Sequence, residues 1–129
     1  MPSLLLIFNH RITALQEENA RCSLGVGRIV EPPEDIKAIW RQVPADLEAI
    51  DGYLSPVKAW LADHGKQGDY VLVQGDSGAC FIIVNVAIEH GLIPIYSTTE
   101  REAVEEHGQD GTVRIIHHFR HRIFRRYGR

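Results

Sequence analysis

One stretch near the middle of the chain, residues 70–87, constrains the fold more than any other. It reads YVLVQGDSGACFIIVNVA: a short β-branched run, a glycine-containing turn and a long apolar run. This order predicts a strand over Tyr70–Val73, a turn over Gln74–Gly78 and a buried helix over Ala79–Glu89. The glycines let the backbone turn sharply at the carboxyl end of the strand. The first N–H groups of the helix that follows then favour an anion.

The turn has two interpretations. In the first, it receives a phosphate, and the ligand-binding residues are Gln74, Gly75, Ser77, Gly78 and Ala79. In the second, the glycines only make the turn, and Asp76 or Ser77 only caps the helix. The letters GDSG also surround the nucleophile of chymotrypsin-like proteases, but a helix follows here instead of a β-barrel. The Walker loop is absent, and GxxG is too short for the dinucleotide fingerprint.

The length of 129 residues predicts one domain over 1–129. It is short for an enzyme with an enclosed site, which favours a site shared between subunits. No apolar window is long enough for a membrane span, and the first residues lack the features of a signal peptide, so we expect a cytoplasmic protein without a membrane partner. Cys22 and Cys80 have no metal-binding spacing, so we expect both to be reduced and buried. No metal and no cofactor are predicted.

Charge is distributed unevenly along the chain. The net charge is −3, but residues 112–129 hold six of the fourteen basic residues and none of the seventeen acidic ones, which leaves residues 1–111 at −9. Such asymmetry indicates a polyanionic ligand or an acidic partner surface. The alternative is that the basic segment packs on the protein's own acidic helices.

The first half of the chain alternates between strand and helix signals. The apolar run Leu4–Phe8 is typical of a central parallel strand, and Asn9-His10-Arg11 follows it. Thr13-x-x-Gln16 has the form of a capping box, which predicts a helix from Ala14 to about Cys22. Further on, the signals predict a short strand over Gly25–Val30, a helix through Ile36–Val43, and two short helices or one kinked helix around Ser55-Pro56. Trp40 and Trp60 lie in these apolar stripes, and we expect both to pack in the core.

The second half is predicted to continue the same way. Ile93–Tyr96 is the next expected strand, and Ser97, Thr98 and Thr99 form a third polar loop after it. Thr99 and Glu102 have capping-box spacing, which predicts a helix over 100–107; these hydroxyls then either cap that helix or contact a ligand. Residues 112–127 alternate between apolar and basic side chains, as in one or two terminal strands.

Together these elements predict an α/β fold: a single Rossmann-like domain with a mostly parallel sheet, helices on both faces and a C-terminal basic strand or hairpin. The loops Asn9–Arg11, Gln74–Gly78 and Ser97–Thr99 should meet at the carboxyl edge of the sheet, where open α/β sheets bind ligands.

Four segments, FNHRIT, VLVQGDSGA, IPIYSTTER and the basic FRRYG terminus, resemble a family of small stand-alone CRISPR-associated ring nucleases of type III systems. The resemblance covers nearly the whole chain. It implies a CRISPR-associated Rossmann-like fold (CARF) and a homodimer with a cyclic oligoadenylate bound across the two-fold axis. It also implies a hydrolase role in antiviral defence, in which opening the ring ends the signal.

We hypothesise metal-independent attack of a ribose 2′-hydroxyl on its neighbouring phosphate, with cyclic tetra-adenylate as the expected substrate. His10 is the candidate acid or base, Arg11 the candidate phosphate ligand, and Asp76 either orients the imidazole, contacts the ligand or only caps the helix. Asn9, Ser97, Thr98 and Thr99 complete the expected ligand-binding set. Two alternatives remain: a cyclic-nucleotide sensor or sponge that does not cleave, and an RNA- or DNA-binding protein that uses the Arg-rich terminus. In the leading hypothesis no stable nucleic-acid partner is expected.

Overall fold

A computed structural model describes residues 1–129 and shows an α/β arrangement of five strands and four helices. The strands are β1 (Ser3–Ile7), β2 (Arg28–Val30), β3 (Tyr70–Val73), β4 (Ile93–His107) and β5 (Val113–Arg126). The helices are α1 (Ala14–Leu24), α2 (Glu34–Arg41), α3 (Ser55–His64) and α4 (Ser77–Glu89).

All five strands belong to one mixed sheet in the order β2-β1-β3-β4-β5. The first four strands are parallel to one another, and β5 runs antiparallel beside β4. From β1 the chain crosses outward to β2 and then returns past β1 to β3, so the direction of winding reverses between β1 and β3. The carboxyl ends of the parallel strands therefore meet at one edge, with the reversal at its centre.

Two apolar cores cover the two faces of the sheet. The larger lies under α2, α3 and α4 and contains both tryptophans, Trp40 at 3% and Trp60 at 6% exposure, as the sequence predicts. The smaller lies under α1 and includes Phe124 of β5. Strand β1 contributes to both cores, since Leu4, Leu5, Leu6 and Ile7 are all buried. This confirms the prediction of a central strand that is covered on both faces.

The sequence predicts the ends of α1 and α4 well, because local signals determine them. Thr13 accepts from the Gln16 N–H while the Gln16 side chain accepts from the Thr13 N–H, so the predicted capping box is present. Gly25, predicted to open a strand, instead ends α1 with a φ of 68° that favours glycine. Helix α4 begins at Ser77, two residues before the predicted start, because Asp76 acts as its N-cap.

The region before α3 differs from the prediction. Only one helix, Ser55–His64, forms there, and residues 44–54 are turns and bends. Leu54 occupies the N-cap position of α3, and it makes no side-chain hydrogen bond to the helix. Tyr53 stabilises the turns by donating to the Ile39 carbonyl at 2.7 Å. The apolar residues before Pro56 thus contribute to packing without forming a second helix.

The largest difference concerns residues 97–107, where the predicted polar loop and helix are both wrong. Strand β4 continues without interruption from Ile93 to His107 and pairs with β5 along most of its length. Thr99 and Glu102 therefore do not form a capping box, and Ser97, Thr98 and Thr99 lie within a strand. Pairing with β5 supplies the backbone hydrogen bonds that a helix over 100–107 would have made for itself.

The distal part of this β4–β5 hairpin extends away from the rest of the sheet. Strand β3 pairs with β4 only at Ile93, Pro94 and Ile95. Every residue from Thr99 to Arg120 is exposed except Ile116, which is half-buried. Residues 99–120 are termed the hairpin arm below.

Both cysteines are free thiols. Cys80 is half-buried on α4, but Cys22 is exposed, so the expectation that both are buried is wrong for Cys22. None of the four helices combines the length and the apolar character needed to cross a lipid bilayer.

Candidate functional site

The carboxyl edge of the parallel strands carries three neighbouring clefts. Each lies between the ends of two adjacent strands, and adjacent clefts share residues. The central cleft shares Phe8, Asn9 and His10 with one neighbour, and Gln74 and Gly75 with the other. The three clefts therefore form one strip across the edge, termed the edge groove.

The central cleft lies between the ends of β1 and β3, where the winding of the sheet reverses. It has a volume of about 190 Å³ and is lined by Phe8, Asn9, His10, Gln74 and Gly75. The His10 ring packs edge-on against Phe8, with ring centroids 5.4 Å apart, while the residue itself remains exposed. Two predicted loops thus meet here, and His10 is accessible to a ligand at the centre of the groove.

The cleft between β1 and β2 is polar and cationic on one side. Its volume is about 630 Å³, and Arg11, Lys37 and Arg41 are among its lining residues. Lys37 is partly neutralised because it lies 3.4 Å from Glu31 and 3.6 Å from Glu34, whereas neither arginine forms an ion pair within the chain. Two guanidinium groups are therefore free to bind anions at this end of the groove.

The cleft between β3 and β4 is mainly apolar and aromatic. Its volume is about 510 Å³, and its polar rim consists of Gln74, Gly75 and Ser77. The remaining lining residues are Cys80, Phe81, Val84, Tyr96 and Tyr127. Phe81 is 73% exposed, which is unusual for a large apolar side chain, and Arg125 lies over the Tyr96 ring at 5.6 Å. Such a surface suits a planar, partly apolar ligand group such as a nucleobase.

Gly75 is required by close packing. A Cβ at this position would lie 2.8 Å from Nε1 of Trp40, and that nitrogen donates to the Gln74 carbonyl at 2.9 Å. Gly78 is different, since a Cβ there would meet only Asp76 Oδ2 at 3.5 Å and Ile50 at 3.6 Å. Neither glycine has a positive φ. Space beside Trp40 therefore explains Gly75, whereas nothing in the fold requires a glycine at position 78.

Asp76 is used as a helix cap. Its Oδ2 accepts from the Ala79 N–H at 3.0 Å, which is the capping role that the sequence analysis left open. Ala79 itself is fully buried and its N–H is satisfied, so it has no free polar group to offer a ligand. The N–H groups of Ser77 and Gly78 lie in the first turn of α4, where a helix supplies no backbone acceptor. These two N–H groups are candidate donors to an anion at this end of the groove.

Gln74 and Ser97 connect the ends of β3 and β4. The Gln74 Oε1 accepts from the Ser97 N–H at 2.9 Å, which fixes the side chain at the rim of two clefts. The Ser97 hydroxyl lies 2.5 Å from Nδ1 of His121, and His121 Nε2 lies 2.9 Å from Oδ1 of Asn19 on α1. Burial lowers the pKa of His121. Ser97 is thus enclosed, at 9% exposure, in a polar chain that joins the hairpin to α1.

Thr98 and Thr99 lie beyond the groove. The Thr98 hydroxyl donates to the Ile123 carbonyl and accepts from the Ile123 N–H, both at 3.1 Å, where the register of β4 and β5 shifts. Thr99 pairs with His121. Their hydroxyls were predicted to meet the other loops, but the structure does not bring either of them into the three clefts.

Tyr127 directly follows β5 and lines the aromatic cleft. Its hydroxyl donates to the Val73 carbonyl at 2.5 Å. Burial and the neighbouring Cys80 thiol raise its pKa to about 12, and burial also raises the pKa of Cys80. Both groups are therefore neutral at physiological pH, which keeps the cleft floor uncharged.

The structure brings together Asn9, His10, Gln74 and Gly75, with Arg11 and Ser77 in the two flanking clefts. Sequence reasoning missed Lys37, Arg41, Phe81, Tyr96 and Tyr127. Tyr96 had a usable signal, since it ends a predicted strand at the functional edge. Lys37 and Arg41 also had a usable sequence signal, because they lie on the polar side of the strongly amphipathic helix α2.

No three His, Cys, Asp or Glu side chains lie close enough to share a metal ion.

Comparison with known proteins identifies relatives. The chain matches the Uncharacterized protein MJ1673 family over residues 2–125. The protein described as Uncharacterized protein MJ1673 of Methanocaldococcus jannaschii is 43% identical over 127 residues, which cover 98% of each chain. No solved structure matches the chain.

Proposed function

The chain belongs to the MJ1673 family, and we propose that it is a cytoplasmic ring nuclease that binds and cleaves a cyclic oligoadenylate, most readily cyclic tetra-adenylate. In this proposal the domain is a Rossmann-like domain of CARF type. Cleavage of the ring switches off type III CRISPR antiviral signalling. One observation carries the proposal: the edge groove is a continuous strip that combines anion-binding groups with an aromatic cleft.

The ligand class follows from the order of groups along the groove. Arg11 and Arg41 supply guanidinium groups at one end. The first turn of α4 supplies the N–H groups of Ser77 and Gly78 at the other, directly beside the aromatic cleft. A ligand that alternates phosphates with purines satisfies both kinds of group repeatedly along one surface. A cyclic oligoadenylate has that alternation.

Symmetry supports a dimer in the proposed complex. The groove is open to solvent along its length, so one chain covers only one side of a ring. A homodimer with the ligand across its two-fold axis presents the same groups to both halves of a symmetric ring. It also brings one His10 from each subunit to the ligand.

The proposed reaction is a transesterification within the RNA backbone. The ribose O2′ attacks the adjacent phosphorus, the O2′–P bond forms and the P–O5′ bond breaks, which leaves a 2′,3′-cyclic phosphate and a 5′-hydroxyl. A neutral His10 accepts the O2′ proton, and a protonated His10 or water donates one to O5′. Arg11 and the α4 N-terminus stabilise negative charge on the phosphoryl oxygens. The nucleophile is the ribose O2′ and not a water molecule, so the open groove is not an obstacle.

A second function, binding without cleavage, is favoured by a specific observation. Asp76 caps α4 through Ala79. It is thus occupied away from His10, and no carboxylate orients the imidazole within the chain. A protein with this arrangement can serve as a sensor or sponge that holds the ring through the same groove.

The deciding experiment incubates the protein with cyclic tetra-adenylate in excess EDTA and resolves the products. Linear fragments with 2′,3′-cyclic phosphate ends support the proposed reaction. Cleavage that begins only after a divalent metal is added contradicts the metal-independent mechanism. Tight binding with full recovery of the intact ring establishes the sensor or sponge instead.

A further inference from the structure

Gln74 is held in place at the end of β3 by hydrogen bonds to three different elements. Its N–H donates to the Ile7 carbonyl of β1 at 3.1 Å, and its carbonyl accepts from Trp40 Nε1 of α2 at 2.9 Å. Its side-chain Oε1 accepts from the Ser97 N–H of β4 at 2.9 Å. The backbone and the side-chain amide of Gln74 are therefore both positioned before a ligand arrives.

The partner of this amide determines which way it faces. A backbone N–H can only donate, so the atom of Gln74 that meets the Ser97 N–H is the oxygen. The amide nitrogen Nε2 therefore points away from Ser97, and it makes no hydrogen bond within the chain. Every buried side-chain nitrogen or oxygen of the protein has a partner, so the unpartnered Nε2 is accessible to solvent. It is a fixed donor that is free to meet a ligand.

The free donor lies where the aromatic cleft opens. The Gln74 side chain reaches from β3 to β4, and the aromatic cleft lies between the ends of these two strands. The rings of Phe81 and Tyr96 line the same cleft. A base that stacks on these rings brings one of its edges towards Nε2 of Gln74.

The other polar side chains of the aromatic cleft do not select between donors and acceptors. The hydroxyls of Ser77 and Tyr96 can each donate or accept. The Tyr127 hydroxyl already donates to a backbone carbonyl, and the Cys80 thiol is only a weak donor. Gln74 Nε2 is the side-chain group lining this cleft that can only donate. It therefore distinguishes bases by the position of their acceptors.

We propose that Gln74 is a specificity-determining residue, and that its Nε2 donates to N1 of an adenine stacked in the aromatic cleft. The inference rests on the proposed function, which makes the ligand an adenylate, and it adds the group that recognises the base. In adenine N1 is an acceptor, whereas in guanine and in hypoxanthine, the base of inosine, N1 carries a hydrogen and donates. The nitrogens N3 and N7 are acceptors in all three purines. A fixed donor therefore separates adenine from the other two at N1.

A wrong purine places two donors against each other. With hypoxanthine, the N1–H group would face Nε2, and the amide cannot turn over because the Ser97 N–H requires its oxygen. Both donors would then be unpaired in the complex, which selects against this base. A ring built from inosine should therefore bind about 10- to 100-fold more weakly than a ring built from adenosine.

The test measures binding of cyclic tetra-adenylate and cyclic tetra-inosinate, both with 2′-fluoro sugars, by titration calorimetry. The fluorine replaces the hydroxyl that attacks phosphorus, so binding is measured apart from cleavage, and the two rings differ only at N1 and C6 of the base. The parent protein should bind the adenine ring about 10- to 100-fold more tightly. A matching ring of 7-deazaadenine, which keeps N1 and lacks the N7 acceptor, should bind as tightly as the adenine ring.

Gln74→Glu reverses the polarity of the group and keeps its anchor. One carboxylate oxygen still accepts from the Ser97 N–H, and the other presents an acceptor in place of the Nε2 donor. This variant should prefer the inosine ring, because N1–H of hypoxanthine donates to the carboxylate. The ratio of the two dissociation constants is compared, since the added negative charge weakens binding of both rings alike. Asn9→Asp, the same amide-to-carboxylate change in the central cleft, is the matched control and should keep the ratio of the parent.

Gln74→Met tests the same group without adding charge. Methionine fills similar space but offers neither the donor nor the acceptor, so this variant should bind both rings with similar affinity. Circular dichroism and thermal unfolding verify that both Gln74 variants are folded.

Three results overturn the assignment of Gln74 and leave the proposed function standing. They are an adenine preference that Gln74→Glu and Gln74→Met both keep, a parent protein that prefers the inosine ring, and a loss of binding by the 7-deazaadenine ring. A parent protein that binds none of the rings also overturns the assignment. The proposed reaction is decided separately, by cleavage of the ribose ring in EDTA, so the two can fail independently.

Discussion

Ser97 and His121, 24 residues apart in sequence, meet at the base of the hairpin with the serine hydroxyl 2.5 Å from the imidazole Nδ1. The second imidazole nitrogen lies 2.9 Å from Asn19, so one side chain joins β4, β5 and α1. His121 is 8% exposed and also packs against the Phe124 ring. The hairpin is therefore anchored to the body of the domain by a buried, neutral histidine.

This anchor predicts that stability falls in mild acid. Burial lowers the pKa of His121 below its ordinary value of 6.5, so the unfolded chain binds a proton more readily than the folded one. The contribution is fully present above about pH 6.5 and is lost as the pH falls below that value towards the folded-state pKa. The melting temperature should therefore decrease over this range.

The measurement compares the parent with His121→Phe by thermal unfolding at several pH values. The variant leaves Ser97 and Asn19 unpaired and should lose about 1–3 kcal/mol at neutral pH, with a smaller difference in acid. His117→Gln, at an exposed arm position, is the control and should follow the parent. A gap between His121→Phe and the parent that stays constant with pH contradicts the assignment.

The two glycines of the central turn should respond differently to alanine. Gly75→Ala places a Cβ 2.8 Å from Trp40 Nε1 and should cost about 1–3 kcal/mol in urea unfolding. Gly78→Ala meets only ordinary contacts, so its stability should stay within about 0.5 kcal/mol of the parent. If a phosphate sits on the α4 N-terminus, the extra methyl of Gly78→Ala should still weaken binding of the ring. Equal loss of stability in both variants would contradict the packing explanation for Gly75.

The parts of the fold that follow from local sequence were predictable. The buried strands β1 and β3 and the Thr13 capping box depend on neighbouring residues, and all were placed correctly. Residues 100–107 were not, because their Glu-rich sequence favours a helix, whereas in the structure a strand from residues 113–126 pairs with them. That partner is the next strand along the chain, and pairing across the hairpin outweighed the local helix propensity of residues 100–107.

The candidate site was predictable to the same extent. The loops after β1 and β3 meet as expected because parallel strands end at one edge of the sheet. Ser97 was predicted to lie in a polar loop after a short strand, but it lies within strand β4. The aromatic cleft was missed because Phe81 lies on the outer side of a helix that is apolar nearly all round, so periodicity does not distinguish its exposed face.

Substitutions at Asp76 should separate capping from chemistry. Asp76→Ala removes the bond to the Ala79 N–H and should cost about 1 kcal/mol, whereas Asp76→Ser retains a cap and should lose little. Ring cleavage by Asp76→Ser should stay within about threefold of the parent, because the carboxylate does not act on His10. A large loss of cleavage in a stable Asp76→Ser protein would assign Asp76 a direct role.

Tyr127 should ionise only at strongly alkaline pH. Its pKa is raised to about 12 by burial and by Cys80, so absorbance from one tyrosinate should appear near that pH and be missing in Tyr127→Phe. Because the folded-state pKa lies above the ordinary value of 10, this group's contribution to stability is present below about pH 10 and is lost as the pH rises towards 12. An unchanged absorbance titration in Tyr127→Phe would show that Tyr127 is not the late-ionising group.

Single-turnover cleavage of cyclic tetra-adenylate in excess EDTA, with enzyme in excess, tests the central claim most directly. The parent protein and His90→Ala, an exposed control outside the groove, should open the ring at similar rates. His10→Ala should be slower by about 100- to 10,000-fold while remaining folded, since proton transfer at the ribose is lost. A His10→Ala rate within about threefold of the parent, or a parent protein that returns the ring intact, would contradict catalysis by His10 at the centre of the edge groove.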